Sequence, residues 1–183
     1  MSGLGAGRRL PGDDVLPGAD VVLDRMLDLA GTPEQVWPWL EQLGKDRAGW
    51  YLPHVVEMVV PRSRRAARGI GSRWQGLQVG DAIPDWGPGS PSFEVLEIER
   101  PKHLVYWSER ARSARRGVAR PPLRLTWALV LEPRRGASRL QLRLRLDLGH
   151  PAGPLATYGG GLVDWLTVQL LGGGLNERLR RLE

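Results

Sequence analysis

Leu123-Arg124-Leu125-Thr126-Trp127-Ala128-Leu129-Val130-Leu131, answered beyond Arg134-Arg135-Gly136 by Leu140-Gln141-Leu142-Arg143-Leu144-Arg145-Leu146-Asp147-Leu148, decides the fold of this 183-residue chain. Large apolar residues recur at every second position in both runs, which is the period of a strand with one buried face. The Arg-Arg-Gly turn folds the two back on each other as an antiparallel hairpin. Gln141, Arg143, Arg145 and Asp147 are expected on its wet face. The dry face needs a cover, and the chain supplies one downstream. After Pro151 and Pro154, residues 155–182 read as a single long helix, weakened by the triplets Gly159–Gly161 and Gly172–Gly174. Leu162, Val163, Trp165, Leu166, Val168, Leu170 and Leu171 run almost all round that helix. More than one of its faces is therefore expected to be buried, the second as a homodimer contact.

Upstream of the hairpin, Ser92–Glu99 and His103–Glu109 read as a strand pair across Arg100-Pro101-Lys102. Val79–Ile83 reads as a short strand before the turn Trp86-Gly87-Pro88-Gly89. Val21, Leu23, Leu27 and Leu29 alternate with Asp24 and Asp28 in a half-buried strand over Asp20–Ala30, and Arg25 breaks the pattern once. Thr32-Pro33-Glu34-Gln35 starts a helix with a capping residue, a proline at the first helical position and a glutamine three residues after the cap. Pro38 should bend it, since the missing N–H would have bonded to Glu34. A second short helix is expected from Trp50 to Val60, ended by Pro61. Strand, two helices, several antiparallel strands and a final helix make one α+β domain over residues 19–183, preceded by a flexible leader, 1–18. A curved antiparallel sheet wrapped around one long helix leaves a cavity between them.

Composition removes several kinds of chemistry. Cysteine is absent, and with it disulfides, thiolate nucleophiles and thiolate metal sites. His54, His103 and His150 lie far apart with no second ligand at metal spacing, so no metal is expected. No serine sits in a nucleophile elbow, and Gly69-Ile70-Gly71 lacks the flanking strand and helix of a phosphate loop. No cofactor is expected. The start of the chain lacks the apolar core of a signal peptide, and Leu162–Leu175 is too short and too interrupted to span a bilayer. A cytoplasmic protein is the reading.

The net charge of +6 rests on 26 basic residues, of which only Lys45 and Lys102 are lysine. Arg62, Arg64, Arg65, Arg68 and Arg73 form one cluster, and Arg110, Arg112, Arg115, Arg116 and Arg120 form another. Both fall in Gly-, Ser- and Pro-containing loops. Two readings stand: solvated loops in an arginine-rich chain, or docking of an anionic partner such as an acidic carrier protein. Nucleic acid is not expected, because neither cluster sits on a recognisable helix or is interleaved with stacking aromatics.

With that order, Thr32-Pro33-Glu34-Gln35-Val36-Trp37-Pro38-Trp39-Leu40, Arg47-Ala48-Gly49-Trp50-Tyr51, Val79-Gly80-Asp81 and Thr126-Trp127-Ala128 make the chain resemble the START/polyketide-cyclase (SRPBCC) superfamily. The likeness is to its actinobacterial members with an Ala-Gly-Trp-Tyr segment, and it covers about residues 20–183. It implies the helix-grip fold, in which the long C-terminal helix closes a cavity in the sheet. It also implies an apolar small-molecule ligand, polycyclic or polyketide-like, bound with or without cyclisation, aromatisation or dehydration. A non-catalytic carrier and an interaction module with a filled cavity remain as alternatives. No universal catalytic set comes with the family.

The candidate site is therefore aromatic. The chain has eight Trp and one Phe. Trp37, Trp39 and Trp127 are assigned to the core, Trp127 with the cavity wall as its alternative. The expected ligand-binding set is Trp50, Trp74, Trp107, Trp127, Tyr158, Leu162 and Trp165. Tyr51 and His54, three residues apart on the expected helix, would share a face and act as an acid–base pair. Glu94 shares strand parity with Leu96 and Ile98, and a carboxylate on that face is either a strand-end residue or a deliberate polar group in the pocket.

Overall fold

The computed structural model describes residues 8–87, 89–112, 120–149 and 154–181, with residues 154–159 described by their backbone alone. Strand β1 (Val21–Leu29) leads into helix α1 (Pro33–Gln42) and the one-turn helix α2 (His54–Met58). Strands β2 (Ala82–Pro84), β3 (Ser92–Glu99), β4 (His103–Arg110), β5 (Leu123–Arg134) and β6 (Ala137–Asp147) follow, then helix α3 (Pro154–Leu179). The strands form one antiparallel sheet in the order β1-β6-β5-β4-β3-β2. The sheet curves around α3, which packs against β1.

The β5–β6 hairpin pairs as its alternation requires, with Leu129 opposite Leu142 and Leu131 opposite Leu140. These leucines join Leu27 and Leu29 of β1, Val168, Leu171, Leu175 and Leu179 of α3, and Val36, Trp39 and Leu40 of α1 in one core. The start of α1 is held as expected: the Thr32 N–H donates to Gln35 Oε1 at 2.8 Å. Pro38 lies inside α1 without ending it, and its carbonyl accepts from Gln75 Nε2 at 3.0 Å.

The second glycine triplet lets the chain pass close to α3. A Cβ on Gly174 would stand 2.6 Å from the carbonyl carbon of Tyr51 and 2.7 Å from the backbone of Leu52. Only a glycine admits the main chain at that distance. The segment before α2 is thereby pinned against the helix.

Three expectations are corrected. The outer face of the hairpin is not wet. Residues 8–20, expected as a free leader over most of their length, run across it. Leu10 and Leu16 are buried there, as are Val105, Ala128 and Val130 of the sheet. Arg143 donates to the Arg8 carbonyl at 2.8 Å and pairs with Asp13 at 2.7 Å, and Arg145 Nε donates to the Leu16 carbonyl at 2.9 Å. The outward guanidiniums thus hold a strap rather than face water. We expect Leu10→Ala to lower the unfolding free energy by roughly 2 kcal/mol in a urea titration, the cost of vacating a buried leucine site. A loose leader would give no change.

The second correction is to α2. It begins at His54 rather than near Trp50. Pro53 disfavours the helical region for Leu52 before it, and Tyr51 and Leu52 lie outside the helix. The third lies in β3, where the register to β4 shifts between Val95 and Glu97. That bulge swaps the faces: Val95 is buried and Glu94 exposed. His103, at the start of β4, is buried and lies 2.7 Å from Glu97 Oε1.

Candidate ligand cavity

Between the sheet and the N-terminal half of α3 lies a cavity of about 420 Å³. One wall is a run of aromatic rings. Trp50 stacks on Trp127 at 6.0 Å between centroids and 22° between planes. Trp127 stacks in turn on Tyr106 at 5.9 Å and 25°. Phe93 leans on both Tyr106 and Trp127. The sheet creates this row, because Tyr106 and Leu144 flank Trp127 on neighbouring strands with all three side chains inward. Leu43, Ile83, Leu144 and Val168 complete the apolar lining, and Trp86 stands partly exposed at its edge.

Two carboxylates interrupt it. Asp85 pairs with Arg110, whose guanidinium lies over the Phe93 ring at 5.1 Å. Asp164 of α3 faces Arg25 of β1, with Oδ2 2.9 Å from Nε. Arg25 also donates to the carbonyls of Asp24 at 3.1 Å and Gly161 at 2.9 Å. Burial raises the Asp164 carboxyl above its ordinary value of 3.8, and Arg25 opposes that only in part. The Trp50 indole nitrogen is buried without a partner among the described residues.

The expected site residues divide. Trp50 and Trp127 line the cavity. Trp74 packs against the core beside it, under the guanidinium of Arg73 at 4.2 Å, and lines a neighbouring cleft. Trp107 lies on the outer face, opposite Glu94 and Thr126. Leu162 and Trp165 are 66% and 49% exposed and do not line the cavity, which α3 meets with Asp164, Thr167 and Val168. The side chain of Tyr158 lies outside the described residues.

Tyr51 and His54 are not brought together at the cavity. Tyr51 is fully buried in the core, and its hydroxyl donates to the Trp39 carbonyl at 2.9 Å. Burial pushes its phenol far above the ordinary value. His54 is exposed, with Nδ1 3.2 Å from Arg68 Nη2. Glu94 points outward through the bulge. None of the three lines the cavity.

Asp164, Arg25, Phe93, Tyr106, Asp85 and Leu144 stand outside the expected site set, Asp164 with a place in the pocket and a place facing water both left open. A signal for two of them was present. Arg25 interrupts an alternating strand, Asp164 interrupts an apolar helix, and the two are opposite charges placed where apolar residues belong.

Of the first arginine cluster, Arg62 and Arg64 are exposed, whereas Arg68 pairs with buried Glu57. In the second, Arg110 is held by Asp85 and Arg112 donates to the Leu148 carbonyl at 3.0 Å. Arg115 and Arg116, like His150, lie outside the described residues. Among the described residues no group of three His, Asp or Glu is placed to hold a metal ion. No helix there is long and apolar enough to cross a membrane.

A curved antiparallel sheet closed by a long C-terminal helix, with short helices after the first strand, is the helix-grip fold. Solved structures share it. The chain is similar to a Mesorhizobium loti protein at 19% identity and a TM-score of 0.52, over 88% of this chain and 98% of that one. A protein of Arthrobacter aurescens matches at 16% identity and 0.52, over 86% and 87% of the two chains. One from Mycobacterium smegmatis matches at 13% and 0.52, over 90% and 94%. At such identities the likeness extends to the fold alone. No family model matches the chain, and no curated protein does.

Proposed function

We propose that this protein is a START/polyketide-cyclase-like binder that encloses a planar apolar molecule between the sheet and α3. The stacked wall of Trp50, Trp127 and Tyr106 carries the reading. Offset-stacked rings present a flat apolar face, on which a polycyclic ligand gains area and ring–ring attraction together. The volume of about 420 Å³ suits a small molecule and counts against a core filled by its own side chains.

A second reading, catalysis in the same cavity, is favoured by one observation. Asp164 is a carboxyl of raised affinity for protons set in an apolar lining, the property a proton-transfer group needs. The acid–base role expected of Tyr51 and His54 passes to it on this reading.

Titrating the protein with pyrene or anthracene derivatives is expected to quench Trp emission and raise the melting temperature, since the ligand binds the folded state alone. Leu144→Trp, which fills the cavity from its sheet wall, should remove both effects. Unmoved emission and melting temperature across such a panel would exclude the binding reading. For the catalytic reading, Asp164→Asn should abolish turnover of a substrate that still binds.

A further inference from the structure

The loop closed by the Gly44–Gly49 bridge separates the apolar cavity from a second concavity. Gly44 lines the cavity, and Lys45, Asp46, Arg47, Ala48 and Gly49 line a cleft of about 730 Å³ on the other side. Arg64, Arg65, Arg73 and Trp74 supply much of the rest of the cleft, and Trp86 borders both spaces.

The charge of this cleft is one-sided. Five cations line it against the single carboxylate of Asp46. Among the described residues none of the five makes an ion pair, whereas Arg25, Arg68, Arg110, Arg143 and Arg178 each do. The hydrogen bonds of Arg47 and Arg65 go to neutral acceptors. Arg65 donates to the carbonyls of Val60 at 2.8 Å and Met58 at 3.1 Å. Arg47 donates to the Glu41 carbonyl at 2.9 Å and to that of Trp74, and its Nε is buried without a partner. The Arg73 guanidinium lies over the Trp74 ring at 4.2 Å. Such bonds and stacking fix Arg47, Arg65 and Arg73 in place without cancelling their charge, and Lys45 and Arg64 add two further cations to the lining. Fixed, uncompensated cations in a concave wall focus positive potential, and planar guanidiniums match phosphate oxygens.

We propose that this cleft is a phosphate-binding subsite, and that it takes the anionic end of the molecule whose apolar end occupies the cavity. The second half of the proposal rests on the binding function argued above. Trp86 and the 44–49 loop form the wall over which such a ligand passes, with its aromatic part against Trp50 and Trp127 and its phosphate among Lys45, Arg64 and Arg73.

Paired probes test it: 4-(1-pyrenyl)butyl phosphate and 4-(1-pyrenyl)butanol, titrated by fluorescence anisotropy at low and high salt. The phosphate should bind the unaltered protein roughly tenfold more tightly than the alcohol at low salt, and the gap should narrow as salt screens the cleft. Arg64→Gln/Arg73→Gln, two exposed positions, should abolish the gap while the alcohol's affinity and the melting temperature hold. Equal affinities in the unaltered protein, or a gap that survives the double variant, would overturn the subsite. If the alcohol fails to bind, the cavity reading fails by itself. Titration with inorganic pyrophosphate then decides the cleft: saturable binding that depends on Arg64 and Arg73 upholds an anion site, and its absence removes it.

Discussion

Glu57→Leu is expected to cost about 3–5 kcal/mol of folding stability, because it strands a buried guanidinium. Arg178 of α3 is 1% exposed and Glu57 is 2% exposed. Arg178 Nη2 donates to Glu57 Oε1 at 2.7 Å, Nε to the Ala67 carbonyl at 2.9 Å, and Nη1 to the carbonyls of Gly174 and Leu52 at 2.9 and 3.2 Å. Its plane lies over the Tyr51 ring at 4.7 Å. Arg68 pairs with the second Glu57 oxygen. One carboxylate thus serves two arginines and ties α2 and the 66–68 segment to the end of α3.

The same latch sets an acid limb. Burial pushes the Glu57 carboxyl up, but the hydrogen bonds and charges of Arg178 and Arg68 outweigh it and hold its pKa below the ordinary 4.5. A carboxyl whose pKa falls on folding stabilises the native state above its unfolded value and loses that contribution as pH drops through the folded one. Urea midpoints of the unaltered protein should therefore fall below about pH 4.5, and the Glu57→Leu variant should show a shallower decline. Equal slopes would remove Glu57 from the acid response. Asp164 runs the other way. Its raised pKa means that its contribution is present below 3.8 and lost as pH climbs through the native value.

Gly174→Ala is expected to destabilise by at least 2–3 kcal/mol, roughly the upper range for overpacking, although alanine is the better helix former by about 1 kcal/mol. The new methyl would meet backbone atoms of Tyr51 and Leu52 at 2.6–2.7 Å, and backbone cannot swing aside as a flexible side chain does. Gly160 is the internal control. A Cβ there meets nothing within 4 Å, so Gly160→Ala should raise the urea midpoint. If both substitutions stabilise, the close approach at Gly174 is not a constraint.

The architecture was legible where one residue type repeats with one period. The β5–β6 leucines, the α1 start at Thr32–Gln35 and the terminal helix each carry their own local signal, and together they specify the α+β arrangement. Half of the aromatic wall followed, since Trp127 lies in the clearest strand and Trp50 in the quoted Arg-Ala-Gly-Trp-Tyr segment. What failed depends on single-residue events. The bulge at Val95–Glu97 inverts Glu94 without altering the composition of the strand. Pro53 did carry a signal, the restriction on the residue before a proline, and it was outweighed by the apolar residues around it. The strap was illegible for another reason: nothing in Arg143 or Arg145 indicates that backbone carbonyls from 120 residues away or more will be their acceptors.

Helix α3 is divided along its length. Val168, Leu171, Leu175 and Leu179 are buried, whereas Leu162, Val163, Trp165 and Leu166 are 49–67% exposed. Its two halves should accordingly differ in how often their amides open to solvent. Deuterium should enter residues 161–167 through local opening, while the segment anchored by Arg178 and Gly174 exchanges only when the whole domain unfolds. The cavity is bounded by Asp164, Thr167 and Val168, at the border of the two regimes. A bound molecule would therefore slow exchange in the outer half far more than in the inner one. The helix would then record occupancy of the cavity along its own sequence, whatever the ligand's colour or chemistry.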